Sequence, residues 1–241
     1  MELPEGFVGP VFSGGDFVTF RFDDADLSFR VLVLPTEVGR ANRVSVKTDF
    51  TAFDRNEWRE RGEIGHLSKS LVAQSWQVYH EETHLNIADM FFSVEVVRNI
   101  DSEVKSLFSV NFNQFYSVTL SEISELYSED VSSDISYYPT LENNFLFQKI
   151  DGYKIGGIRA ELMVIKGQKH PSTCAFFSLG RTYTLEIELS LYPWKYEDIA
   201  QQYTDEFLLK FKEQLFDDFL ANLTIEYSAE AKAIIEQLEK P

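Results

Sequence analysis

Arg181-Thr182-Tyr183-Thr184-Leu185-Glu186-Ile187-Glu188-Leu189-Ser190-Leu191 is the stretch on which the fold reading turns. Tyr183, Leu185, Ile187, Leu189 and Leu191 take every second place, and Thr184, Glu186, Glu188 and Ser190 fill the places between them. Successive side chains on a strand point to opposite faces, so this is a half-buried strand of an antiparallel sheet. Directly downstream the period changes. Ile199, Tyr203, Phe207, Leu208, Phe211, Leu215, Phe216, Phe219, Leu220 and Leu223 recur at three and four, which predicts a long amphipathic helix over 197–223. Asp198, Asp205, Lys212, Glu213 and Asp217 are assigned to its solvent side. Burying about eight large side chains at roughly 1.5 to 3 kcal/mol each fastens such a helix to a sheet. Residues 223–227 read as a short closing strand and 230–239 as a terminal helix. Antiparallel β-sheets with a long C-terminal amphipathic helix packed on the sheet define the expected class, α+β.

Working outward, residues 145–150, 157–166 and 175–179 read as further strands, with Asp151-Gly152 as a turn. The first half is also strand-rich. Residues 17–22 alternate, Asp23-Asp24-Ala25-Asp26 turns, and 28–34 run up to Pro35, while 43–50, 70–80 and 90–97 are rich in Val, Phe, Tyr and Trp. A short helical turn is expected in 54–61 and a short capped helix in 121–127. The polar stretch 128–136 is the expected boundary between a strand-rich N-terminal domain or subdomain, 1–140, and an α+β sandwich domain, 141–241.

Charge bounds the partners. The 241 residues carry 39 acidic and 22 basic side chains, a formal net charge of −17. A chain this acidic meets nucleic-acid phosphates or an anionic membrane face against a repulsive field, so neither is expected as a partner. Residues 37–69 and 152–194 are nearly neutral, whereas 121–151 and 195–241 carry most of the excess. Part of it is what the solvent face of a helix carries anyway. Glu122, Glu125, Glu129, Asp130, Asp134 and Glu142 have no such explanation, with Lys149 their only counter-charge in 121–151, and they are the expected partner-binding residues. The single cysteine, Cys174, excludes an intrachain disulfide and suits a reducing compartment. No basic segment followed by an apolar run opens the chain, so a cytoplasmic location is expected, and no stretch approaches the roughly 20 apolar residues of a membrane span.

His80-Glu81-Glu82-Thr83-His84 matches H-E-x-x-H, in which two histidines one helical turn apart hold zinc and the glutamate serves as general base. The surroundings argue against it. Trp76, Val78 and His80 alternate as on a strand, where residues four apart lie roughly 13 Å from each other. No glycine or histidine of the extended pattern follows. A polar turn between two strands is the expected state, with no catalytic residue, metal or cofactor assigned. Cys174 lies near His170 but is read as part of a buried strand rather than as a nucleophile.

Asp151-Gly152-Tyr153, Gly157-Ile158-Arg159-Ala160-Glu161 and Phe177-Ser178-Leu179-Gly180-Arg181-Thr182-Tyr183, followed by the long helix, resemble the PsbP-like α/β/α sandwich. Bacterial DcrB-like proteins and the C-terminal domain of type VI secretion lipase immunity proteins are similar in pattern, over about 40% of the chain. The resemblance implies a binding module rather than an enzyme. It points to an immunity protein that occludes a cognate basic toxin, or alternatively to a secretion effector chaperone or adaptor gripping a hydrophobic segment. A zinc metallopeptidase using His80, Glu81 and His84 is the third reading. Oligomeric state stays open, since an acidic surface opposes self-association unless an apolar edge is exposed.

Overall fold

A computed structural model describes residues 7–10, 14–33, 39–61, 66–82, 85–98, 147–150, 157–162, 171–193 and 205–238. The longest strands form a hairpin, β6 (His66–His80) and β7 (Asn86–Arg98), turning at Glu81 and Glu82. On its far side β7 pairs with β11 (Tyr183–Pro193) over eleven residue pairs, from Tyr183 opposite Arg98 to Pro193 opposite Ala88. Beyond β11 follow β10 (Ser172–Ser178), β9 (Gly157–Leu162) and β8 (Phe147–Ile150). The outer edge of β6 is tiled by three short strands in succession, β5 (Arg59–Arg61), β4 (Gly39–Val44) and β1 (Phe7–Val8). All nine strands pair antiparallel.

A second sheet orders β12 (Thr224–Tyr227), β3 (Ala25–Arg30) and β2 (Phe17–Arg21). Two α-helices, α1 (Asp205–Ala221) and α2 (Ala229–Leu238), and a single 3₁₀ turn, Arg55–Glu57, within the expected helical turn at 54–61, complete the described elements. In β11 the alternation holds: Tyr183, Leu185, Ile187, Leu189 and Leu191 are all buried. These side chains, with Val72, Trp76, Phe92 and Val94 of the hairpin, form a core with Phe20, Leu27 and Phe29 of the small sheet and Leu208, Phe211, Leu215, Phe216 and Phe219 of α1. Phe219 marks the junction, its ring centre 4.9 Å from that of Phe92 and 5.4 Å from that of Phe29. The small sheet and α1 therefore cover one face of the large sheet.

Two expectations change. The helix spans 17 described residues rather than 197–223; residues 197–204 lie outside the described residues, and the N–H groups of Asn222 and Leu223 bond back to Phe219 and Leu220 before β12 begins. Mostly antiparallel sheet with two short helices is what stands. Lys212, assigned to the solvent side, is 1% exposed. Its Nζ donates to Glu161 at 3.2 Å and to the carbonyl of Pro171 at 2.8 Å. Period explains this better than polarity: Lys212 follows Leu208 by four and precedes Leu215 and Phe216 by three and four, inside the apolar stripe.

Strand pairing crosses position 140 among the described residues. β7 from the first half and β11 from the second are sheet neighbours, and β12 pairs with β3 along four residue pairs. The helix expected in 121–127 lies outside the described residues.

Candidate functional site

The face of the large sheet turned away from α1 is built from the other half of each alternation. On β11 these positions are Glu186, Glu188 and Ser190. Register sets Glu186 between Phe176 and Glu95, Glu188 between Cys174 and Ser93, and Ser190 between Ser172 and Phe91. Three central strands thus contribute a three-by-three grid. A shallow depression of about 210 Å³ lies over it, lined by Phe91, Ser93, Glu95, Cys174, Phe176, Glu186 and Glu188.

Within the grid, the Ser172 and Ser190 hydroxyls are 2.6 Å apart and both reach Oε1 of Glu188, at 3.1 and 2.5 Å. One carboxylate oxygen thus lies within hydrogen-bonding reach of two buried hydroxyls that also bond to each other. Glu186 and Glu95 face each other across neighbouring strands, a like-charge pair that sheets ordinarily avoid. Cys174 responds to these surroundings. Burial pushes its thiol well above the ordinary value, and the charges of Glu188, Glu161 and Glu186 push in the same direction. A thiol held protonated is a poor nucleophile. Chemically, the grid gathers three carboxylates at half-buried positions, with Phe91 half-buried and Phe176 buried among the same nine places.

The sequence-derived candidates fare differently. Glu122, Glu125, Glu129, Asp130, Asp134 and Glu142 lie outside the described residues. Of the H-E-x-x-H stretch, His80 ends β6, its N–H donating to the carbonyl of Leu85, and Glu81 and Glu82 form the hairpin turn. Thr83 and His84 lie outside the described residues. The helix that would bring two histidines to one metal is therefore not formed at residues 80–82, and among the described residues no three His, Cys, Asp or Glu side chains gather as metal ligands.

A second polar cluster joins distant segments. Asp24, 4% exposed, accepts from the backbone N–H of Arg181 at 2.7 Å and from its Nη2 at 2.7 Å, while Nη1 of Arg181 reaches Glu230 of α2 at 3.0 Å. The N–H of Ser228 donates to the Asp24 carbonyl, and the Tyr227 hydroxyl to the Ser178 carbonyl. Paired with two carboxylates, the guanidinium is held even more firmly protonated than usual. This cluster clasps the β2–β3 turn, the β10–β11 turn and the C-terminal helix together. Sequence reading took Asp24 only as a turn residue and Gly180-Arg181 only as part of a pattern. Nothing local in the sequence links positions 157 residues apart.

Compared with known protein families, curated proteins and solved structures, the chain matches none.

Proposed function

We propose that the chain is a binding module, an immunity protein that meets and occludes a basic protein toxin through its acidic surface, acting in the cytoplasm. The observation that supports this most directly is the row of carboxylates, Glu95, Glu186 and Glu188, at the centre of a broad sheet face in a chain of net charge −17. Such a face raises the encounter rate with a positively charged partner and repels acidic ones. A basic toxin is the natural complement, because proteins that attack nucleic acid or anionic membranes carry positive surfaces for the same electrostatic reason.

The test is binding to a basic toxin, sought first among the products of the neighbouring genes. The complex should form with an on-rate that falls steeply with salt, and Glu95→Gln combined with Glu186→Gln should lower the low-salt on-rate by about tenfold with little change in off-rate. An on-rate indifferent both to salt and to these substitutions sinks the reading. The chaperone alternative draws on the half-buried Phe91 at the depression. It predicts instead a complex with an apolar segment that persists undiminished at high salt.

A further inference from the structure

Two side chains of β6, two positions apart on the core face, each keep one buried polar atom without a hydrogen-bond partner among the described residues: the Oε1 of Gln74 and the Nε1 of Trp76. Both residues are fully buried. The orientation of the Gln74 amide is not open to reversal. Its Nε2 donates to the Leu32 carbonyl at 3.2 Å and to Oδ1 of Asn42 at 2.9 Å, so turning the amide over would set an acceptor against a backbone acceptor. The Trp76 indole can only donate. One atom is therefore a committed acceptor and the other a committed donor.

Buried polar groups are nearly always satisfied, and internal waters satisfy them at a rate of about one per 27 residues. Same-face neighbours on a strand stand about 7 Å apart at their Cα atoms, and one water spans roughly 5.6 Å between the two groups it bonds. The strand pairing is irregular at the same place. Gly39 lies opposite Trp76 and Asn42 opposite Gln74, with a register shift between Gly39 and Ala41. Asn42 is exposed, which brings solvent to the outer end of the same hydrogen-bonded group.

We propose that an internal water is bound between Gln74 and Trp76, accepting from the indole N–H and donating to the side-chain carbonyl, as a fixed part of the junction between β4 and β6. The full chain labelled with ¹⁵N tests this without altering the fold. The Trp76 indole signal, assigned by its disappearance in Trp76→Phe, should give NOE and ROE cross-peaks of opposite sign at the water frequency, the mark of a water that stays bound rather than exchanging protons. A crystal structure of the unaltered chain should place a water within hydrogen-bonding distance of both atoms. An indole signal without a water cross-peak overturns the proposal. So does electron density in which either atom is paired with a protein group, or in which a water reaches only one of them.

Discussion

Gly180 adopts φ +128°, in the region that residues with a Cβ rarely enter, and a Cβ built there would lie 2.3 Å from the Cβ of Asp24. Strain and collision therefore act together in Gly180→Ala. The expected cost is about 2 kcal/mol or more, read as a lower urea midpoint with an unchanged slope. Cys174 makes a different prediction, with a sign. Its thiol is raised above the ordinary value of 9.0 by burial first and by Glu188 next, so the native state keeps its proton after the unfolded state has begun to lose one. Stability is therefore full below about pH 9 and declines as pH rises above it. Tyr183 and Tyr192, also raised by burial, extend the decline past their ordinary value of 10.0. Urea midpoints at pH 7, 9 and 10 should fall in that order, and Cys174→Ala should flatten the first part of the fall. In native protein at pH 8 an aromatic disulfide reagent should leave the thiol unmodified until denaturant is added.

At the scale of elements, strands with strict alternation were legible and their partners were not. β11 was readable from Tyr183 to Leu191 because its apolar residues keep period two, although Thr184 and Ser190 on the other face are buried as well. That Glu186 would stand beside Glu95 was unreadable, since the register between β7 and β11 depends on two segments about ninety residues apart. The edge strands β1 and β5 are too short to carry a period at all, β4, Gly-Arg-Ala-Asn-Arg-Val, has no alternation of apolar residues, and the strand expected over 43–50 instead forms at Gly39–Val44. In α1 the period was legible but charge was allowed to override it at Lys212. This buried lysine makes the element's own prediction. Lys212→Met keeps the volume and discards the charge, leaving Glu161, whose side chain is 30% exposed, to water. Its effect should stay within about 1 kcal/mol of zero, while Lys212→Ala, which leaves a cavity beside Leu208 and Leu215, should cost about 2 to 3 kcal/mol in chemical denaturation. A Met variant as damaging as the Ala variant would show that the ion pair, rather than the packing of the stem, holds the helix.

Across the whole molecule, composition predicted a chain with a large core and an acidic surface, and it carried no information on how the halves would be shared out. The polar stretch 128–136 resembled a linker because linkers are polar, but polarity does not reveal which strands lie side by side. In the structure β11 has β7 on one edge and β10 on the other, β12 completes a sheet begun by β2 and β3, and Phe219 packs on Phe92 and Phe29. A fragment of residues 141–241 would keep β8 to β11 and the helices yet lose the partner of β11 along eleven residue pairs and the part of the apolar surface under α1 that Phe29 and Phe92 supply. Its Arg181 would also lose Asp24. Produced alone, this fragment should show no cooperative urea transition by circular dichroism and should bind hydrophobic dye, whereas the full chain should unfold in one step. Mixing it with a fragment of residues 1–140 should restore a cooperative transition if the two halves fold only by completing each other's sheets. A fragment 141–241 that melts cooperatively on its own would show that the second half holds a self-sufficient core and that the pairing of β7 with β11 is docking rather than folding.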